Sequence, residues 1–161
     1  MKGILLDTSF FVRLLNIEDP LHNNAKQYYR YFLEHEIELK VSTISIAEFC
    51  TKGSLYDLPF KDLKVLPFNI DHAVKAGEFA QIIHENKKQG KIETNPRMII
   101  PNDTKLFSQA EIDDNIDAYI SSDTRSFNIY SVLKSECNLN FEFMDMNISY
   151  NTRFGILDFE Q

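Results

Sequence analysis

Ile4-Leu5-Leu6-Asp7-Thr8-Ser9-Phe10-Phe11 joins two apolar runs through an acid and two hydroxyl residues. The short apolar run from Gly3 to Leu6 reads as a first strand. Asp7-Thr8-Ser9 follows at once, and its side-chain oxygens suit the capping of a helix that carries Phe10, Phe11, Leu14 and Leu15. A strand passing into a helix through one acidic residue sets the pattern for the rest of the chain.

Leu21, Ala25, Tyr28, Tyr29, Phe32 and Leu33 recur at helical spacing from about Pro20, tolerated in a first turn, to about Glu34. Ile37-Glu38-Leu39-Lys40-Val41 alternates apolar and polar as a half-covered strand does. Ser42-Thr43-Ile44-Ser45 leads into a helix through Ile46, Ala47, Phe49 and Cys50. Val65 and Leu66 suit a short strand. Asp71 is expected to cap a long helix whose buried face is Ala73, Val74, Ala76, Phe79, Ala80 and Ile83. Asp103 opens another helix. Ala118 to Ser121 reads as a strand, followed by Asp123 and a helix through Phe127, Tyr130, Val132 and Leu133. Phe141 to Met144 reads as a last strand. Strands separated by helices predict an α/β fold with a central, mainly parallel sheet flanked by helices.

A chain of 161 residues makes one domain and buries enough surface to fold without disulfides. Its two cysteines, Cys50 and Cys137, are too few for a disulfide framework, so a reduced cytoplasmic protein is expected. No apolar run approaches a membrane span, and the N-terminal one is too short for a signal-peptide core. The net charge of −7 argues against a protein that passively coats nucleic acid. It leaves room for a nuclease, whose metal site needs carboxylates of its own.

Four acids occupy equivalent places: Asp7 after the first strand, Glu48 early in a helix that follows a strand, Asp103 at a helix start, and Asp123 after a strand. In a parallel sheet the carboxyl ends of the strands line one edge, and ligands bind in the crevice there. Carboxylates gathered at that edge repel one another unless a cation neutralises them. An all-oxygen cluster suits a hard cation, Mg²⁺ or Mn²⁺. Such a site fits phosphodiester hydrolysis, with Asp7 and Asp103 as direct ligands and Glu48 and Asp123 completing the shell or orienting a water. Taken singly, Asp7, Asp103 and Asp123 fit equally well as helix caps.

The order and flanks of these acids resemble the PIN-domain family, above all its small VapC-type toxins. That family opens with an apolar strand ending in Asp followed by Thr or Ser, as in Ile4 to Phe11. Its second acid is a Glu among small and apolar residues, as in Ser42-Thr43-Ile44-Ser45-Ile46-Ala47-Glu48-Phe49. Its third is an Asp soon after an apolar-Pro turn, as in Ile99-Ile100-Pro101-Asn102-Asp103. Its fourth follows a strand, with Ser or Thr two places earlier, as in Ser121-Ser122-Asp123-Thr124-Arg125-Ser126-Phe127.

The resemblance implies a Rossmann-like three-layer PIN domain over residues 1–144, with 145–161 as a C-terminal extension that the pattern does not place. It implies an Mg²⁺- or Mn²⁺-dependent endoribonuclease that hydrolyses RNA, with Asp7, Glu48, Asp103 and Asp123 as catalytic and metal-binding residues. It further implies the toxin of a toxin–antitoxin pair, with an antitoxin protein as partner, and a homodimer.

Thr8, Arg13, Ser121 and Arg125 are candidate contacts to substrate phosphate, although a strand-end hydroxyl such as Ser121 also suits capping the next turn. Lys87, Lys88, Lys91, Arg97 and Lys105 gather basic charge near the third acid; steering of an RNA backbone and a solvated helix exit explain them equally. The acids from Glu111 to Asp117 read as a solvated turn.

Other chemistries fit less well. The four histidines show no zinc spacing. Ser9 stands where a haloacid-dehalogenase-type phosphatase needs a second Asp. The remaining alternative is an inactive PIN scaffold that binds RNA or a protein without cutting.

Overall fold

The computed structural model of the chain describes residues 1–88 and 101–155. Five strands form one sheet: β1 (Gly3–Leu6), β2 (Glu38–Ser42), β3 (Leu63–Leu66), β4 (Ala118–Ser121) and β5 (Glu142–Asp145). They lie in the order β3-β2-β1-β4-β5, and every pairing is parallel. The chain builds outward from β1 to β3, then returns to lay β4 on the other side of β1. The strand order therefore reverses between β1 and β4, the place where open parallel sheets form their ligand crevice.

Among the described residues, seven α-helices connect and cover the strands: α1 (Thr8–Leu15), α2 (His22–Glu34), α3 (Thr43–Phe49), α4 (Ile70–Lys88), α5 (Asn102–Ile112), α6 (Thr124–Glu136) and α7 (Tyr150–Phe154). Alternation along the strands sorts the core into two layers. Ile4, Leu6, Leu39, Val41, Ala118 and Ile120 meet Phe10 and Phe11 of α1, Tyr28 and Phe32 of α2, and Phe49 of α3. Leu5, Tyr119 and Phe143 face the other way, onto Phe79 and Ile83 of α4, Phe107 of α5 and Leu133 of α6. The three-layer α/β architecture expected from the sequence is the one observed.

The strands and helices fall close to their expected positions, with three informative differences. Lys40 sits in a strand covered on both faces rather than half-covered: it is 1% exposed. Its ammonium bonds Asp113 at 2.6 Å and reaches Glu38 at 3.1 Å. Asp113, read as part of a solvated turn, is the counter-charge that lets a cation stay in the core. Along α4 the buried stripe is His72, Ala76, Phe79, Ile83 and Asn86, whereas Val74 is 60% exposed. The stripe is set by the side that meets α5, which local periodicity does not reveal. Residues 145–155, finally, lie on α2: Met146 is fully buried, and Phe154 stacks on Tyr31 with ring centroids 4.0 Å apart.

Candidate active site

Asp7 and Asp123 both take the capping role that the sequence offered them. Asp7 is the N-cap of α1 and Asp123 the N-cap of α6, each accepting the backbone N–H two residues on. Because β1 and β4 are neighbours, both caps stand at one edge of the sheet. The backbone N–H of Asp7 bonds the Ile120 carbonyl at 3.1 Å, which extends the ladder as far as the acid itself.

Asp7 is 8% exposed. Its Oδ2 accepts from the Ser9 hydroxyl at 2.6 Å, the Ser9 backbone N–H at 3.2 Å and the Ser121 hydroxyl at 2.8 Å. Ser121 Oγ in turn accepts from the Asp123 backbone N–H at 3.1 Å, and Ser9 Oγ from the Ser122 N–H at 3.0 Å. Two strand ends are thus laced together through two serines around a single carboxylate. Ser121 supports Asp7 and also caps its own turn.

Glu48 enters from the second turn of α3, which Ser42 starts by accepting the Ile44 N–H. One of its oxygens accepts from Thr8 Oγ1 at 2.6 Å, the other from Asn102 Nδ2. Lys105 Nζ donates to Asn102 Oδ1 at 3.0 Å, completing a chain from α5 to α3. The Thr8 hydroxyl is therefore turned to Glu48. Arg13 is paired with Asp19 at 2.5 Å and reaches Ser122 Oγ at 3.4 Å. Arg125 pairs with Asp123 at 3.2 Å while its side chain stays 87% exposed. Among the basic residues near the third acid, Lys91 and Arg97 lie outside the described residues.

Asp103, in the first turn of α5, gathers the influence of the whole group. Burial raises its pKa; the nearby Ser126 hydroxyl opposes the rise, and the charges of Asp7, Asp123 and Glu48 add to it, leaving Asp103 at about 6. Asp123 moves the other way: burial works against ionisation, but hydrogen bonds and charge from Arg125 hold its carboxyl below the usual range. The structure thus brings Asp7, Glu48 and Asp123 within electrostatic reach of Asp103.

Among the described residues no three His, Cys, Asp or Glu side chains are gathered tightly enough to enclose an ion as they stand. Glu48 is turned onto Thr8 and Asn102, and Asp123 onto Arg125. The donor chemistry nonetheless fits a hard cation: the converging groups are carboxylates and hydroxyls, and Asp103 is a half-buried carboxyl with three like charges around it.

Sequence reasoning missed Ser9, Asn102, Tyr119 and Ser126. Ser9 and Asn102 sit beside predicted acids in the chain, and that adjacency was the available signal. Tyr119 and Ser126 join the site only through the fold.

No family model and no curated protein sequence matches this chain. Solved structures do. The crystal structure of DNA-bound VapBC from Salmonella typhimurium superposes with a TM-score of 0.53 at 18% identity, covering 91% of this chain and 99% of that one. VapBC2 from Rickettsia felis, bound to a DNA fragment from its promoter, gives a TM-score of 0.57 at 14% identity, covering 88% and 97%. At these identities the likeness is one of architecture: the chain has the fold of these VapBC structures, the PIN-domain fold that the order of its four acidic motifs resembles.

Proposed function

We propose that this chain is a divalent-metal-dependent endoribonuclease, the toxin of a toxin–antitoxin pair, that hydrolyses RNA phosphodiester bonds. The observation that carries the reading is the state of Asp103: half-buried, held at about 6 by desolvation first and then by the charges of Asp7, Asp123 and Glu48. A fold that concentrates four acids at a sheet switch point, with Arg125 turned to Asp123, leaves a repulsion at Asp103 that a dication would relieve. The likeness to VapBC complexes supports an antitoxin protein as partner. The homodimer is proposed from the resemblance to VapC-type toxins.

Asp7 and Asp103 would hold Mg²⁺ or Mn²⁺, with Glu48 and Asp123 completing the site. When bound, the metal supplies Lewis-acid polarisation of the phosphate and a water acidic enough to attack it. The chain's own contribution is positional. Ser9 and Ser121 fix Asp7, and Thr8 and Asn102 fix Glu48. Arg125 is exposed beside Asp123 and is available to a phosphate once it leaves that carboxylate.

A specific observation favours a second reading: with Glu48 and Asp123 tied to neighbours, the acids do not enclose an ion as they stand. That fits a scaffold that binds RNA or a protein without cutting. One assay separates the two. Incubation of the purified chain with structured RNAs in Mn²⁺ or in EDTA should give cleavage only with metal, and none with Asp7→Asn. Cleavage that persists in the Asp7→Asn protein, or intact RNA at every metal concentration, would overturn the nuclease reading.

A further inference from the structure

Below the acid pocket lie two hydroxyls that the proposed chemistry does not use. Tyr119 pairs with Leu5 across β4 and β1. It precedes Ser121 by two residues, so both project from the same face of the sheet, and Ser121 bonds Asp7. Tyr119 is fully buried. Its ring meets Phe107 edge-on at 5.1 Å, and Phe107 lies about one helical turn beyond Asp103 on α5. Tyr119 is therefore enclosed beneath both Asp7 and Asp103.

Among the described residues the Tyr119 hydroxyl and Ser126 Oγ are buried without a regular hydrogen-bond partner. The Tyr119 oxygen lies beside Asp7, Asp103 and Ser126, yet its approach to Asp7 falls short of a regular hydrogen bond. Burial first, and those two charges after it, keep the phenol un-ionised well beyond its ordinary range. It is a neutral donor facing two anions. A Phe at this position would keep every ring contact, so the core has no need of the hydroxyl, and a desolvated donor without a partner destabilises the chain that carries it.

We propose that Tyr119 is a positioning residue of the acid pocket, whose hydroxyl donates to the Asp7 carboxylate when that carboxylate holds a divalent cation. This rests on the metal-dependent reading above. It predicts two effects of opposite sign in Tyr119→Phe: a more stable metal-free protein and a weaker metal site. A purely structural tyrosine would leave the metal affinity unchanged.

The test compares wild type, Tyr119→Phe and Asp7→Asn, measuring the melting temperature in EDTA and Mn²⁺ affinity by electron paramagnetic resonance. Tyr119→Phe should melt higher in EDTA and bind Mn²⁺ at least about 10-fold more weakly, as losses of outer-shell partners do. A lower melting temperature in EDTA would show that the hydroxyl is already bonded and would overturn the proposal. So would unchanged Mn²⁺ affinity in Tyr119→Phe, and if Asp7→Asn still lost the ion the metal reading would stand. Absence of Mn²⁺ binding in wild type removes that reading, and the role of Tyr119 with it.

Discussion

The Ser121 hydroxyl donates to Asp7 Oδ2 at 2.8 Å while accepting the Asp123 backbone N–H at 3.1 Å. A single oxygen thereby couples the ends of β1 and β4, and two of the four acids are fixed relative to each other. Ser121→Ala removes both bonds from a fully buried site. We expect about 1–2 kcal/mol of destabilisation, measured by urea unfolding. RNA cleavage should fall about 10- to 100-fold, because Asp7 loses an orienting donor. Full activity in this variant would remove Ser121 from the support of the site.

Asp103 gives the site a pH dependence whose sign is fixed. Its folded-state pKa of about 6 lies above the ordinary 3.8, so the native state holds a proton that the unfolded chain has already lost between those values. Stability from this group therefore falls as pH rises from about 4 to about 6, and the full penalty is present at neutral pH. Two units correspond to about 3 kcal/mol, an upper figure because the neighbouring acids relax. Asp103→Asn should raise the melting temperature of the metal-free protein at pH 7 and change it little at pH 4. In wild type, Mn²⁺ affinity should decline as pH drops below about 6, as protons compete for this carboxylate.

The Lys40–Asp113 pair predicts an asymmetry between its two members. Asp113→Asn leaves an ammonium that is 1% exposed with only Glu38 opposite, and should cost about 3 kcal/mol or more. Lys40→Met removes the buried charge and keeps the bulk, leaving Asp113 19% exposed, and should cost less. Chemical denaturation of both variants decides the matter. Equal losses would mean that solvent reaches Lys40 more freely than its burial indicates.

Gly3 begins β1 where the Asn115 carbonyl crosses it, and a Cβ there would collide with that oxygen. Both partners of the collision are backbone, so neither can rotate away. Gly3→Ala should destabilise by about 1–3 kcal/mol in thermal denaturation. The same substitution at Gly77, which faces open space on α4, should be neutral or mildly stabilising.

The comparison of Tyr119 with Asp7 shows how far the sequence alone reaches. Asp7 was legible because its signal is local. An apolar run, an acid and two hydroxyl residues together specify a strand end and a helix cap, and capping geometry involves only the next few residues. Glu48, Asp103 and Asp123 carry similar local marks, and their repetition along an alternating strand–helix pattern predicted a parallel sheet with acids at one edge.

What brings those acids together is the return of β4 to the side of β1, a pairing of residues more than a hundred positions apart that no local pattern encodes. The same return seals Tyr119 beneath Asp7, and the C-terminal end of α5 brings Asp113 to the buried Lys40 of β2. Burial and charge pairing depend on which surfaces meet. The sequence by itself determined the elements and the acidic residues at their ends; the tertiary structure decided which charges share a space, and hence that Asp103 holds its proton to about 6.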